Sequence, residues 1–116
     1  MKITSILLGI GLFFLGHIMV WFQLNGQFKW DTFKKYELLV AAAGFFISFF
    51  YMYATKYTVE GFGGLLWPAR FVGFSVGITV YAILVSYFFN QGISLKTLVS
   101  LILCFILISI QVLWKN

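Results

Sequence analysis

Few side chains in this sequence can do chemistry. Its 116 residues include eight Lys or Arg, three Asp or Glu, one His and one Cys. Arg70 stands out because it lies inside an apolar stretch, directly after the chain's single proline in Trp67-Pro68. A guanidinium there would take a phosphate, carboxylate or sulfate through paired N–H donors. Two blander uses of the charge remain open: snorkelling to headgroups from roughly 8 Å inside its helix, or pairing with Glu60 across a glycine-rich segment. His17, midway along the first apolar run, suits a proton relay because an imidazole ordinarily titrates near about 6.5. It would equally serve as a hydrogen-bond donor to a neighbouring hydroxyl or carbonyl. Tyr81 falls in mid-span, where its hydroxyl needs a partner, while Trp67 and Tyr51 suit either a cavity wall or an interfacial anchor. A metal site needs several ligands, and no phosphate loop, nucleophile–base pair or carboxylate pair occurs. The expectation is no enzyme, no metal and no cofactor. Cys104, inside an apolar run, reads as a small buried hydrophobe.

The elements that position these residues are membrane spans. Apolar residues make up 62% of the chain and charged ones 9%, against about 45–50% and about 25% in soluble domains. A soluble core of this size cannot use that much apolar surface. The net charge of +5 suits phospholipid headgroups rather than nucleic acid. Four segments reach the roughly 20 apolar residues that a span requires: 6–24, 38–54, 65–89 and 95–114. Period-2 alternation is lacking, so a barrel is not expected. The predicted fold is one all-α integral membrane domain over 1–116. It would sit in the cell (inner) membrane, in contact with lipid.

Small residues mark where helices would approach closely. Gly9 and Gly16 share a face of the first helix, and Ala41, Ala42, Ala43, Gly44 and Ser48 give a small face to the second. Ala69, Gly73 and Gly77 form a small-xxx-small series in the third. Pro68 belongs to that helix's first turn, where its missing N–H costs nothing. Arg70 begins a face that continues through Gly73, Phe74, Gly77 and Tyr81. The connector 25–37 is polar and aromatic, 55–64 is glycine-rich, and Ser94 is placed to cap the fourth helix. Trp114 and Lys115 end that helix at an interface. With four spans, Lys2, Lys56, Arg70 and Lys115 share one side, and Lys29, Lys34, Lys35 and Lys96 the other. Lys/Arg asymmetry sets orientation, and here it is zero. The chain is expected to insert both ways round.

Ile47-Ser48-Phe49-Phe50, Ala54-Thr55-Lys56, Trp67, Gly73 with Gly77, and the turn from Phe88 to Leu95, taken in order, resemble the small multidrug resistance proteins of the drug/metabolite transporter superfamily. Ile47-Ser48-Phe49-Phe50 with Ala54-Thr55-Lys56 is similar to the end of that family's second helix. Trp67 falls where the family keeps a cavity tryptophan, and Gly73 and Gly77 resemble its third-helix packing glycines. Phe88-Phe89-Asn90-Gln91-Gly92-Ile93-Ser94-Leu95 resembles its short turn. The likeness covers roughly residues 44–114. The family's exporters carry a first-helix glutamate that binds protons and cationic substrate. Phe14 or a near neighbour occupies that position here, with His17 about one turn away, and the fourth helix lacks the family's dimerisation glycines. Paired translocases of lipid-linked aminosugars, another branch of the superfamily, also lack the glutamate.

The resemblance implies an alternating-access transporter working as an antiparallel, dual-topology homodimer. Its substrate would be small and amphipathic, polar or lipid-linked, and anionic or neutral. Arg70, Trp67, Tyr81, His17 and Phe14 are the expected substrate-binding residues, and Gly73, Gly77, Gly16 and Gly44 the expected packing residues. The competing class is a non-transporting membrane subunit or scaffold that packs against a partner protein.

Overall fold

The computed structural model describes residues 2–114, all of whose regular structure is helical; the expected interfacial Lys115 lies outside them. Helix α1 runs Ile3–Asn25 and passes through a 3-10 turn, Gly26–Phe28, into α2, Asp31–Lys35. Next come α3, Glu37–Ala42, and α4, Gly44–Gly61; α5, Leu66–Phe89, and α6, Leu95–Leu113, complete the chain. Four helical segments are long and apolar enough to cross a membrane: Ile3–Phe28, Glu37–Gly61, Leu66–Phe89 and Leu95–Leu113.

The second span is longer than its apolar run. Predicted over 38–54, it continues as helix to Gly61, and most of the expected connector 55–64 is absorbed into it. The physical reason is that nothing stops it: no Gly or Pro lies between Gly44 and Gly61. The polar side chains are also accommodated. Thr58 donates to the Ala54 carbonyl at 2.6 Å, and the Lys56 ammonium lies 5.8 Å from the Tyr57 ring centroid and 6.0 Å from that of Tyr53. Gly63 and Gly64 then make the reversal with φ of +70° and +91°, values that a β-carbon would penalise. A discontinuity that periodicity does not reveal separates α3 from α4 at Ala43. There Gln23 of α1 donates its amide to the Val40 carbonyl at 3.1 Å, meeting a backbone acceptor that would be costly to leave bare in lipid.

Helix α1 is the centre of the assembly, packed on α4 along one side and on α5 along another, while α6 touches α5. The arrangement is a slab, 49 × 36 × 18 Å. The closest crossing joins α1 to α4. Gly9 faces Ala54 and Thr58, both fully buried, and a β-carbon on Gly9 would lie 3.0 Å from the Ala54 carbonyl oxygen. At the end of the same seam Gly61 accepts from the Lys2 N–H at 2.7 Å. The alanines 41–43 are exposed instead, so the small face of the second span is Ala54, Thr58 and Gly61 rather than the expected run. Helix α5 buries Ala69, Val72, Gly73, Val76 and Val80, a single stripe at helical spacing.

The far end of α5 is held by aromatics and one cation. Trp21 packs against Phe88 and Phe89, with ring centroids 5.7 and 5.8 Å apart. Lys29 donates to the Phe88 carbonyl at 3.0 Å, placing positive charge at the negative end of the helix dipole. Asn90 turns the chain in the left-handed region, φ 54°, and Ser94 Oγ accepts from the Thr97 N–H at 3.2 Å, capping α6 as expected.

Because the α1–α4 crossing is backbone against backbone, Gly9→Ala should destabilise the fold by about 1–3 kcal/mol through overpacking. Gly11, with nothing within 4 Å of its added β-carbon, should accept alanine at no cost. Thermal unfolding in detergent of the two variants beside the parent checks this, and equal losses would dissolve the distinction.

Candidate functional site

His17 emerges from the middle of α1 and contacts both neighbouring helices. Its Nε2 lies 3.0 Å from the Gly73 carbonyl oxygen of α5, and its Nδ1 3.0 Å from the Tyr51 hydroxyl of α4. A carbonyl can only accept, so Nε2 carries the proton; in the neutral ring Nδ1 then accepts from the Tyr51 O–H. One imidazole thereby ties three spans together. The glycines of α5 make room for it. A β-carbon on Gly77 would lie 2.7 Å from the imidazole Cε1, and one on Gly73 would lie 3.1 Å from the Phe13 ring. Phe13 stacks one turn away, its centroid 6.1 Å from that of His17. Gly73 and Gly77 therefore seat two α1 rings, rather than letting another helix's backbone approach.

The imidazole also borders a cavity on each side. One, of about 310 Å³, is lined by Phe13, His17, Tyr51, Thr55, Ala69, Arg70 and Gly73 among others. The second, of about 320 Å³, runs along the α1–α5 seam past Arg70, Phe74, Gly77 and Tyr81 towards Leu24 and Asn25. Arg70 and His17 are the side chains common to both. Tyr51, Thr55, His17 and Arg70 are thus the polar residues that line the first cavity, whose remaining wall is apolar. This is the arrangement expected of a small-ligand site. A third cleft, of about 370 Å³ between α1 and the α3–α4 break, offers Gln23 as its polar side chain, already engaged with Val40.

The expected binding residues separate into two groups. Arg70, His17 and Tyr81 line the cavities described, Tyr81 at the far end of the second and also beside the α5–α6 cleft. Phe14 and Trp67 line none of these. Phe14, one residue past Phe13, is rotated about 100° away from it and is 39% exposed; Trp67 is 70% exposed, its ring beside Phe71 at 6.2 Å. Among the described residues no ion pair within 4.0 Å joins Glu60 to Arg70. Of the other packing glycines, Gly16 lies in ordinary contact range of Phe50 and Tyr51, and Gly44 faces the Gln23 amide. Thr55 was not anticipated as a wall residue. Its spacing of four from Tyr51, one helical turn, is the signal that could have found it. Among the described residues no cluster of three or more His, Cys, Asp or Glu is placed to hold a metal.

The chain matches no family model, no curated protein and no solved structure.

If Gly77 exists to seat His17, the two positions must be coupled. Gly77→Ala should lower stability in the parent, by about 1 kcal/mol, and have little effect in a His17→Ala background, where the ring is gone. His17→Ala alone should cost about 0.6–1.7 kcal/mol, the range for interhelical hydrogen bonds in membranes. A double-mutant cycle of unfolding free energies measures the coupling; additive losses would mean that Gly77 packs against something else.

Proposed function

We propose that this chain is a small membrane transporter of the drug/metabolite type, active as an antiparallel homodimer in the cell (inner) membrane. The observation that carries the reading is the convergence of Arg70, His17 and Tyr51 on a cavity between spans. A charge at membrane depth is rare and by default marks a ligand path. The substrate is small and amphipathic, polar or lipid-linked, and an anionic group suits the planar donors of Arg70. A path with two gates needs more than four spans, and inverted repeats meeting at a midplane site are the usual solution. A second copy of this chain, inserted the other way round, supplies the repeat. Its support is the Lys/Arg balance of four against four and the slab shape, only 18 Å thick. Helix α6 has no buried residue among those described, which leaves it free for lipid or the second copy.

Flux in liposomes tests the reading. Across a panel of anionic, neutral and cationic amphiphiles, transport of anionic or neutral members is expected. Arg70→Ala should reduce anion flux about tenfold or more, matching loss of a charge-assisted hydrogen bond of ~1.5–3 kcal/mol. Arg70→Lys should fall nearly as far, because a point charge cannot reproduce the planar fork. Equal flux in all three proteins would remove Arg70 from the site, and no flux of any panel member would argue for the scaffold class.

C-terminal reporters active on one side only should both give signal for the unmodified chain. Moving two lysines from connector 25–37 to the tail should shift the population to one orientation. A single strong orientation at the outset would exclude the antiparallel dimer.

A further inference from the structure

The hydrogen bonds around His17 leave its two nitrogens with different freedoms. Nε2–H donates to the Gly73 carbonyl at 3.0 Å, a bond that both the neutral and the protonated ring can make. Nδ1 accepts from the Tyr51 hydroxyl at 3.0 Å, a bond available only while Nδ1 is bare. When Nδ1 takes up a proton the bond must reverse, with Nδ1–H donating and the Tyr51 oxygen accepting. Tyr51 keeps its own proton, and the O–H must then turn to a different acceptor. Tyr51 borders the cavity that also holds Arg70 and Thr55, so the freed donor becomes available to an occupant of that cavity.

We propose that this cavity is a proton-linked anion site: an anion held by Arg70 draws one proton onto His17 Nδ1, and Tyr51 turns its hydroxyl from the imidazole to the anion. The step breaks no covalent bond in the protein. One proton comes from water, the Nε2–H bond to Gly73 persists, and the site gains one positive charge and one donor. The titratable and charged groups that face the imidazole are few. From α4 there is Tyr51, and from α5 there are Arg70 and, along the second cavity, Tyr81. A bound anion sets negative charge beside the imidazole, which favours its protonated form. Linkage makes the effect reciprocal, so a proton on His17 tightens anion binding by the same factor that the anion tightens proton binding. The ligand class is therefore an oxyanion, accompanied into the site by a proton. The apolar seam past Phe74 and Ile78 gives an attached alkyl chain a place to lie. This inference rests on the reading of the Arg70 cavity as the substrate site and adds its coupling ion.

Octanesulfonate and methanesulfonate are suitable probes because a sulfonate does not itself titrate near neutrality; one carries a chain and the other is the head alone. Binding of each to the full chain in phosphatidylcholine nanodiscs is measured calorimetrically in two buffers of different ionisation enthalpy. Uptake should approach one proton per anion, and affinity should weaken towards tenfold per pH unit as pH rises through the imidazole's range. His17→Gln keeps an amide that can bridge Gly73 and Tyr51 but cannot titrate, so binding should persist with the pH slope and proton uptake abolished. Tyr51→Phe retains a titrating ring and loses the hydroxyl, so the anion should bind severalfold more weakly while proton uptake continues. Tighter binding of octanesulfonate than of methanesulfonate would assign the α1–α5 seam to the chain; equal affinities would assign a free anion, and the proton count applies to either. Anion binding without proton uptake, or an undiminished slope in His17→Gln, overturns the proton link and leaves the transport reading standing; parental affinity in Tyr51→Phe overturns the turn of the Tyr51 hydroxyl to the anion. Failure of both sulfonates to bind removes the anion site itself, and the link with it.

Discussion

One imidazole hydrogen-bonds α1 to both of its neighbouring helices. Lipid tails are as apolar as leucine, so no hydrophobic force drives helices together within a membrane; close packing and hydrogen bonds must do it. His17 supplies a bond to α5 through Gly73 and another to α4 through Tyr51. The glycines of α5 let the ring approach, since a side chain at Gly77 would occupy the space of the imidazole. The same residue that joins the helices also lies between the cavities of the α1–α5 seam. Support and binding surface are one feature here, and a change at His17 touches both.

Around that bridge the chain uses two kinds of contact. Where α1 crosses α4, Gly9 and Gly61 bring backbone onto backbone, with Ala54 and Thr58 fully enclosed. Where α1 meets α5, glycines receive aromatic rings instead, and space is left over. The residual volume collects beside Arg70, because the burying stripe of α5 runs through Ala69, Gly73, Val76 and Val80, while Arg70 lies on the flank of that stripe. A guanidinium is tolerable at such a place if the space around it is wet or holds an anion. Tight packing on one side of α1 and loose packing on the other thus follows from which small residues face which partners.

Some of this was legible in the residues and some was not. The four spans follow from run length, and the Ser94 cap from its residue type ahead of an aliphatic run; both reappear in the structure. The expectation that Arg70, Gly73, Phe74, Gly77 and Tyr81 share a side of their helix agrees with their placement around the seam. The second helix outlasts its apolar run, through Thr55–Glu60 to Gly61, because a helix leaving the hydrocarbon can carry polar residues without unwinding. Phe14 and Trp67 came into the expected site through alignment with a family pattern. Their side chains fall outside the two cavities that flank His17, because one step along a helix turns the direction by about 100°.

The sequence by itself determined the class of element, the number of spans and their order, because length and apolarity suffice when the surrounding medium is hydrocarbon. It also determined the charge balance and the absence of an acid from the first helix. Tertiary structure decided which face of each helix turns inward. In a soluble helix the contrast between apolar and polar faces announces that direction. Here the outer face meets lipid and is as apolar as the inner one, so periodicity carries almost no contrast. Only the packing of α1 against α4 and α5 brings His17, Tyr51 and Gly73 within hydrogen-bonding distance. Their separations in the chain, 34 and 56 residues, could not indicate that the three would meet.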